Sequence, residues 1–496
     1  MKILTKSVLA IAISVSMITP TFAAKSIFSS KLLSSYKEVC ANEACAEISA
    51  YDAQSSRVFT TNSEENQLRI LEIDNDGQFV EVGLIDLSGY GGGPNSVAVS
   101  NGVVAVAVQA YIKQENGTVE LFTTDGTHIQ SIQVGALPDM VTFTPDGQYL
   151  LVANEGEPND SYTFDPEGTV TIINTASWLA KTANFHAYDN TKLKDVRVFG
   201  PNASVSQDLE PEFITVSADS ATAWITLQEN NAIAKLDIAS ASITDIYGLG
   251  FKRHDQARNG FDASDEDNGI IIQPHQTLGM YQPDAIASFQ RGNSTFLITA
   301  NEGDSRDYEG YSEEVRVKDL ELDPEKFPNA DDLQKKSALG RLKTTTANGD
   351  TDGDGDNDKI YSYGARSFSI WNANGKQVFD SGSQFEDYLA QYQERGLDVW
   401  EEKRSDDKGP EPESVAVGEL AGEQYAFIGL ERTSGLFIYN ISSPSRPTVA
   451  GFIDLEAVGD VGPEGLKFIS RDANTGWLLI TNEISNTTSL YEISVD

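Results

Sequence analysis

Histidine, cysteine and positive charge are all scarce in this chain. Its 496 residues include 4 His and 2 Cys, and 36 Lys and Arg residues stand against 75 Asp and Glu residues, for a formal net charge of −39. The four histidines show no spacing typical of metal ligands, which disfavours a zinc enzyme and a Ser-His-Asp hydrolase. A surface of this sign repels nucleic acid and anionic membranes, so we expect neither as a partner.

Several motifs of common enzymes are missing too. The sequence contains no G-x-S-x-G elbow, no P-loop, no HExxH and no dinucleotide fingerprint. No helical periodicity persists over a long segment. These absences remove the best-known hydrolase, kinase and dehydrogenase classes from consideration.

The N-terminus has the pattern of a secretory signal. Lys2 and Lys6 precede the apolar stretch Val8–Ile18, and the small-residue site Thr21–Ala23 follows. We therefore expect a signal peptide in residues 1–23 and a periplasmic or secreted protein. No integral membrane segment is expected after signal removal, and no C-terminal anchor is apparent.

The two cysteines, Cys40 and Cys45, lie close together. In an exported chain such a pair favours a local disulfide. A metal site built from the two thiolates is the less favoured alternative.

A pattern of β-strands recurs seven times along the chain, and its clearest copy spans residues 282–311. Each copy opens with a short alternating strand, and two further β-rich runs follow. The openings are Ala46-Glu47, Pro94-Asn95, Pro138-Asp139, Pro211-Glu212, Pro283-Asp284, Pro412-Glu413 and Pro463-Glu464. Repeats of about 45 residues with three or four strands indicate a β-propeller. We therefore predict an all-β fold, a single seven-bladed β-propeller over residues 24–496, closed by pairing of its N- and C-terminal strands. Residues Ser34–Val39 would supply the missing strand of the last blade.

Long loop insertions separate some of the strands. The largest, about 303–362, follows the second strand of the fifth repeat. A short helix is expected within Ser177–Leu193, and a polar loop over Arg253–Gln276. The excursion Phe385–Lys408 begins with a helical pattern. Long ordered loops on a rigid ring are common places for functional sites.

Acidic groups stand at the strand openings and at the ends of the second strands. In an antiparallel hairpin these two positions lie at the same end, so the acidic groups should gather on one rim. The opening residues are Glu47, Asn95, Asp139, Glu212, Asp284, Glu413 and Glu464, and the strand ends add Glu155, Glu229, Glu302, Glu431 and Glu483. Converging carboxylates repel one another and call for a cation, and hard oxygen ligands suit Ca²⁺ or Mg²⁺. The metal ligands predicted here are Asp139, Glu155, Glu212 and Glu464. Alternatively, each carboxylate only caps backbone amides at the start of a strand.

A second acidic pattern lies in GDTDGDGDNDKIY, residues 349–361. The alternating residues Asp350, Asp352, Asp354, Asp356 and Asp358, with a glycine at the sixth position, match the start of a calcium loop. The expected glutamate at position twelve is replaced by a tyrosine. We predict a structural Ca²⁺ that orders the insertion, with Mg²⁺ or another divalent cation as an alternative. A solvated acidic loop without metal is the other interpretation.

Basic residues occur inside the acidic motifs. They are Arg306, Arg366, Arg404, Lys408 and Arg432. Beside rim carboxylates they could clamp an anionic group together with a metal. Equally, they could be ion-pair partners that hold the loops.

These motifs resemble those of the choice-of-anchor I family of exported propellers. The matching stretches are LPDMVTFTPDGQYLLVANEGEPND, DLEPEFITVS, MYQPDAIASF, ITANEGDSRDY, GDTDGDGDND, YGARSFSIW, RSDDKGPEPESVAVG, AFIGLERTSGLFIYNI and GPEGLKFI. The resemblance implies a calcium-binding propeller, and some relatives are labelled alkaline phosphatases while others are labelled cell-surface glycoproteins. The variable C-terminal anchoring tail for which the family is named is not evident here.

Two hypotheses follow from these observations. In the first, a metal-dependent phosphatase hydrolyses a small anionic ester at the channel mouth. The catalytic residues would be Asp284, Glu302, Glu413, Arg306 and Arg432. In the second, a non-enzymatic surface or secreted adhesion propeller binds an extracellular ligand, and calcium is structural. We expect a monomer in either case.

Overall fold

The computed structural model describes residues 28–40 and 45–495, so the predicted signal peptide lies outside the described part of the chain. The first strand, β1, spans Phe28–Lys37. Just after it, Cys40 and Cys45 form a disulfide, which confirms the predicted pairing.

The chain then builds four consecutive four-stranded antiparallel sheets, each made of strands adjacent in sequence. The first sheet contains β2 (Ser49–Asp52), β3 (Arg57–Asn62), β4 (Gln67–Ile73) and β5 (Phe79–Asp86). The second contains β6 (Gly93–Ser100), β7 (Val103–Gln109), β8 (Asn116–Thr123) and β9 (His128–Ala136). The third contains β10 (Pro138–Phe143), β11 (Tyr149–Asn154), β12 (Thr169–Asn174) and β13 (Leu179–Ala183). The fourth contains β14 (Ile214–Val216), β15 (Thr222–Leu227), β16 (Ala232–Asp237) and β17 (Ser242–Gly248). Between the third and fourth sheets lie a 3-10 turn, His186–Tyr188, and the short helix α1 (Val205–Asp208).

The fifth four-stranded sheet is interrupted by the largest insertion. Its strands pair in the order β20-β21-β27-β28. Strands β18 (Phe251–Arg253) and β19 (Leu278–Met280) precede β20 (Ile286–Arg291) and β21 (Ser294–Asn301). The insertion holds β22 (Asp307–Tyr308), β23 (Tyr311–Ser312), β24 (Glu314–Arg316), β25 (Lys343–Thr345) and β26 (Tyr361–Ser362), before β27 (Ser367–Asn372) and β28 (Gln377–Asp380). It also holds α2 (Ala330–Leu333) and the 3-10 turn Val317–Asp319, and another 3-10 turn, Ala257–Asn259, precedes β19.

Helix α3 (Gln384–Glu394) and a 3-10 turn, Glu402–Arg404, lead into the last two four-stranded sheets. The sixth sheet contains β29 (Pro412–Leu420), β30 (Glu423–Leu430), β31 (Gly435–Asn440) and β32 (Thr448–Asp454), followed by the 3-10 turn Glu456–Val458. The seventh contains β33 (Pro463–Ser470), β34 (Thr475–Asn482) and β35 (Thr487–Val495). Its fourth strand is β1, which pairs antiparallel to β35 from Phe28 opposite Val495 to Lys37 opposite Thr487.

The seven sheets pack against one another through apolar side chains. Phe59 of the first sheet and Val106 of the second share one buried cluster. Val58 of the first sheet and Leu479 of the seventh share another. The first strands also touch in the order β2, β6, β10, β14, β20, β29, β33, and β33 touches β2. The first strands therefore line a common central cavity of about 540 Å³.

The sequence-based expectation of an all-β chain with recurring antiparallel strands is confirmed. The helix predicted at the start of Phe385–Lys408 is present as α3. The region Ser177–Leu193 differs, since it holds strand β13 and only one 3-10 turn. Strands β18, β19, β26, β25 and β24 form an additional five-stranded sheet, which the sequence did not suggest. Within the described ranges, no helix combines the length and apolarity needed to cross a membrane.

Candidate functional site

The seven strand openings come together at one end of the central cavity, which we call the mouth. The mouth comprises the opening residues Glu47, Asn95, Asp139, Glu212, Asp284, Glu413 and Glu464, together with the carboxylates that follow the second strands, Glu155, Glu229, Glu302 and Glu431. Five of these, Glu47, Asn95, Asp139, Asp284 and Glu464, line the cavity itself. The predicted gathering of acidic groups on one rim is therefore present in the structure.

Local irregularities in the strands direct these side chains. In the third sheet, Pro138 pairs with Asn154 and Met140 pairs with Ala153, so Asp139 has no residue opposite it. The same shift occurs at the openings of the second, sixth and seventh sheets. A bulge of this kind bends the strand and re-aims a side chain, which here is the acidic or amide residue of the opening.

The backbone just before three openings adopts an uncommon conformation. Leu137, Gln282 and Glu411 precede the opening prolines and have φ values of 46°, 41° and 52°. Residues with side chains adopt this left-handed region rarely and at an energetic cost, and such positions cluster at functional sites. Strained backbone therefore immediately precedes three of the mouth openings.

Three glutamates from the fifth and sixth sheets approach one another at the mouth. Carboxylate oxygens of Glu302, Glu413 and Glu431 lie within 4.8 Å of each other. Glu302 follows β21, Glu413 lies at the start of β29, and Glu431 follows β30. We call this set the glutamate triad. Burial, followed by repulsion from neighbouring carboxylates, raises the pKa of Glu413 well above its usual value.

One member of the glutamate triad is anchored by neighbours. Lys408 forms an ion pair with Glu302, and Gln228 Nε2 donates a 3.0 Å hydrogen bond to the same carboxylate. Burial nevertheless raises the pKa of Glu302 to about 7. Glu413 differs because its buried Oε2 accepts no hydrogen bond within the described structure.

A second set of carboxylates surrounds the openings of the third and fourth sheets. Glu212 and Glu229 are each only 7% exposed, and Oε2 of each lacks a hydrogen-bond partner among the described residues. Burial, with added repulsion from Glu229 and Glu155, raises the pKa of Glu212 well above its usual value. Burial also raises the pKa of Glu155, together with repulsion from neighbouring carboxylates, Asp139 included. These groups favour proton or cation uptake.

Arg306 lies away from the cavity lining, in the base of the insertion. Its buried guanidinium forms ion pairs with Asp208 and, at 2.8 Å, with Glu210. It also lies over the ring of Phe199, 4.6 Å from the ring centroid. The guanidinium of Arg306 is therefore occupied by protein partners.

Arg432 borders the glutamate triad. It lies 2.8 Å from Glu431 and 3.1 Å from Glu411, and its side chain is 37% exposed. Arg404 and Lys408 also contact Glu411, which is fully buried. The sequence pattern did not single out Glu411, although Glu411 forms ion pairs with three of the basic groups near the mouth.

The other basic residue noted in the sequence, Arg366, holds the α3 region in place. It pairs with Glu386 at 2.9 Å and donates hydrogen bonds to backbone carbonyl groups of Ser405 and Asp407. This is the ion-pair role considered as the alternative for the basic set.

The acidic segment of residues 349–361, which we call the aspartate loop, lies on the exposed surface of the insertion. Oxygens of Asp350, Asp352 and Asp358 lie within 4.8 Å of one another, whereas Asp354 and Asp356 are not part of this group. Asp350 accepts hydrogen bonds from the backbone of Gly353 and Gly355. The three grouped aspartates occupy positions one, three and nine of the predicted calcium loop.

Comparison with known families agrees with this architecture. A family model for the choice-of-anchor I domain matches residues 47–444. The chain belongs to the choice-of-anchor I family. The domain described by the family therefore includes the glutamate triad and the aspartate loop.

Individual relatives are more distant. The chain is 25% identical over 373 residues to the mesenchyme-specific cell surface glycoprotein of Strongylocentrotus purpuratus, a match that covers 64% of this chain and 46% of that protein. It is 34% identical over 122 residues to Gigasin-3a of Magallana gigas, covering 22% of this chain and 43% of that protein. The chain thus spans less than half the length of these curated relatives.

Among solved structures, the chain is similar to hydrazine synthase of Kuenenia stuttgartiensis. The TM-score is 0.51 with 12% sequence identity, and the match covers 91% of this chain and 96% of the other. This similarity concerns the fold alone.

Proposed function

We propose that this choice-of-anchor I domain is a surface-associated propeller that binds a divalent cation, with Ca²⁺ as the first candidate, at the mouth of its central cavity. Its seven four-stranded sheets would be seven blades closed by the pairing of β1 with β35. The contacts between successive first strands, and between β33 and β2, support this arrangement. The cation would serve binding to an extracellular ligand rather than turnover.

The observation that carries this proposal is the set of buried carboxylate oxygens without partners at the mouth. They belong to Glu212, Glu229 and Glu413. A buried charge without compensation is strongly unfavourable, so these groups must take up protons or a cation. The glutamate triad offers three oxygens from separate chain segments, which is the hard-oxygen chemistry that Ca²⁺ and Mg²⁺ prefer.

The arrangement of basic groups favours binding over phosphoester hydrolysis. Arg306 is enclosed by Asp208 and Glu210, and Lys408 is held by Glu302. A phosphoester entering the mouth would therefore meet carboxylates whose nearby cations are already engaged. Hydrolysis by Asp284, Glu302 and Glu413 with arginine assistance stays a prediction for direct assay.

Surface association is supported by the relatives. One of them is named a cell surface glycoprotein, and the family match extends through most of the described chain. The N-terminal signal pattern agrees with export. Extracellular calcium modules bind calcium with dissociation constants of about 10⁻⁴ to 10⁻³ M, the range in which we expect the mouth to bind.

Calorimetric titration of the metal-stripped mature chain with Ca²⁺ tests the proposal. The variant Glu413→Gln removes one triad charge while keeping the side-chain shape. We expect it to weaken binding at the mouth by about 100-fold, the upper end of the loss seen even when only a group that supports a metal ligand is changed. The matched control is Glu419→Gln, an exposed glutamate on the same strand. Asp352→Asn, made in the parent chain and in the Glu413→Gln variant, distinguishes Ca²⁺ binding by the loop from Ca²⁺ binding at the mouth. The proposal fails if Glu413→Gln binds Ca²⁺ as the parent chain does.

A hydrolysis assay on the same proteins tests the competing function. A chromogenic phosphomonoester would be supplied at neutral and alkaline pH, after chelation and after Ca²⁺ is restored. We expect no turnover above the uncatalysed rate. Calcium-restored turnover that disappears in a variant with both Asp284 and Glu302 changed to Ala would establish the enzyme instead.

A further inference from the structure

The central cavity has a second level, one step below the mouth carboxylates. It is formed by the residue three positions after each opening residue. These residues are Ala50, Ala98, Thr142, Thr215, Ala287, Ala416 and Lys467, and all seven line the cavity. Four are alanines, so only three side chains are long enough to reach into the space.

The strand register places these three side chains at the same depth. Thr142 pairs with Leu151, Thr215 with Trp224, and Lys467 with Leu479. Each partner lies three residues before the last residue of its strand. The three side chains therefore share one level, roughly 10 Å along the strand from the opening residues at about 3.3 Å per residue.

The order of the sheets places Lys467 across the cavity from the two threonines. Lys467 lies on β33, and the contacts between first strands run from β33 through β2 and β6 to β10, and from β33 through β29 and β20 to β14. Thr142 on β10 and Thr215 on β14 are thus each three steps from Lys467, in opposite directions, and β10 touches β14. Thr142 and Thr215 thus lie on adjacent strands, on the side of the cavity opposite Lys467.

Lys467 is unusual in a chain where basic groups near the mouth are engaged in ion pairs. Throughout residues 28–40 and 45–495, no side chain forms an ion pair or hydrogen bond with its ammonium group. The Lys467 side chain is exposed within the cavity, and enclosure by the surrounding protein lowers its pKa with no carboxylate acting in the opposite direction. The hydroxyl groups of Thr142 and Thr215 likewise have no hydrogen-bond partner in the part of the chain that is described. Three polar groups at one level of the cavity thus have no hydrogen-bond partner among the described residues.

We propose that Lys467, Thr142 and Thr215 form an anion-binding site inside the cavity that takes the carboxylate group of a small organic acid. One ammonium group and two hydroxyl groups can donate to both oxygens of a carboxylate. A single positive charge beneath a ring of carboxylates suits a monoanion better than a phosphate dianion. The cavity volume of about 540 Å³ is in the range of small-molecule sites. The proposal does not rest on cation binding at the mouth.

Transverse relaxation of ¹³C-acetate in the presence of the mature chain tests this site. Acetate would replace chloride at constant ionic strength, both in divalent-free buffer and with Ca²⁺ added. We expect saturable binding in both buffers. Lys467→Met should abolish it, Lys467→Arg should keep it within about threefold, and Thr142→Val with Thr215→Val should weaken it by about tenfold, as expected for two lost hydrogen bonds.

The matched control is Thr182→Val, an exposed threonine on β13 that is remote from the cavity lining. Circular dichroism would establish that each variant is folded, and the Lys467→Arg variant keeps the test open if Lys467→Met does not fold. Non-saturable relaxation, or undiminished binding by the double valine variant, would overturn the proposal. Saturable acetate binding in a chain that takes up no Ca²⁺ would leave the anion site standing and reject cation binding at the mouth.

Discussion

The base of the insertion, which we define by Arg306 and Glu313 with the adjoining Arg197, Asp208 and Glu210, and the mouth of the cavity both bury carboxylates. They differ in how fully basic groups compensate those carboxylates. In the base of the insertion, Arg306 pairs with Asp208 and Glu210, and Arg197 pairs with fully buried Glu313. Both guanidinium groups lie over the Phe199 ring, at 4.1 and 4.6 Å. At the mouth, by contrast, many carboxylates share a few cations.

Whether a buried carboxylate has a basic partner distinguishes carboxylates with a structural role from carboxylates that are available to a ligand. A buried ion pair holds its loop in place because losing either partner leaves an uncompensated charge. A buried carboxylate without a partner favours the uptake of a proton or a cation. The chain has only 36 basic residues for 75 acidic ones. In the base of the insertion Asp208, Glu210 and Glu313 are paired with arginines. At the mouth, Glu212, Glu229 and Glu413 each keep one buried oxygen without a hydrogen-bond partner among the described residues.

The largest expected effect comes from breaking the compensated region. Arg306→Met should destabilise the protein by about 3–5 kcal/mol, because Asp208 and Glu210 would be left buried and unpaired. Urea unfolding measures this loss, and it should be the same with and without Ca²⁺. The control is Arg253→Met, whose pair with Asp255 is exposed and should contribute little to stability because water screens the charges. Equal effects of the two substitutions would contradict the distinction.

The next effect concerns pH in the uncompensated region. Burial raises the pKa of Glu229 from its usual 4.5 to about 7 and that of Glu47 to about 8. The folded state therefore binds more protons than the unfolded state in this range, so stability is greatest near the unfolded pKa and falls as pH rises to about 8. On the scale of 1.36 kcal/mol per pKa unit, Glu229 alone should cost the divalent-free protein about 2–3 kcal/mol between pH 5 and pH 8, and Glu47 should add to this loss.

Urea unfolding at a series of pH values, with and without Ca²⁺, checks the sign. If the mouth binds a cation, millimolar Ca²⁺ should restore stability at pH 8 while changing little at pH 5, where the carboxyl groups are protonated. A divalent-free protein that becomes more stable from pH 5 to pH 8 would show that the mouth carboxylates are compensated in another way.

The pattern of the sequence was sufficient for much of the fold and for the position of the rim. Period-2 alternation with proline-acid openings predicted first strands such as β10 and β29. The missing fourth strand of the last repeat predicted pairing of the two termini, although at Ser34–Val39 and not over Phe28–Lys37. The insertion sheet was missed because strands such as Phe251–Arg253 are too short for periodicity and one of its pairings is parallel. Parallel partners far apart in sequence leave no local signal.

The charged partners were harder to predict than the strands. Arg306 lies 98 residues from Asp208 in sequence, so its acidic neighbours in EGDSRDY suggested a rim position that it does not occupy. Lys467 was not recognised because its importance depends on the register of three separate sheets. With the seven openings aligned, comparing the residues three positions after each opening would have identified Lys467 as the one basic residue in that set.

A smaller effect should follow from neutralising one mouth carboxylate. Glu229→Gln removes an uncompensated charge and should stabilise the divalent-free protein at pH 8 by about 1–2 kcal/mol, less than the full pH effect because neighbouring carboxylates titrate together. Urea unfolding at pH 8 measures the gain, and at pH 5 the gain should disappear. The control is Glu313→Gln, which should destabilise because Arg197 would lose its buried partner. A destabilising Glu229→Gln at pH 8 would place Glu229 with the compensated groups.

The smallest effect is expected in the aspartate loop, because its carboxylates are close together but exposed to water. Repulsion from Asp354 raises the pKa of Asp352, while water screens the charges. Asp352→Asn should therefore change the Tm of the divalent-free protein by only about 1 °C, as for most surface substitutions. If the loop binds Ca²⁺, the same variant should lose part of the calcium-induced rise in Tm, while Asp331→Asn, on the exposed face of α2, should keep all of it. A large change in Tm without calcium would mean that the proximity of the charges, and not their burial, determines how the acidic regions affect the stability of this protein.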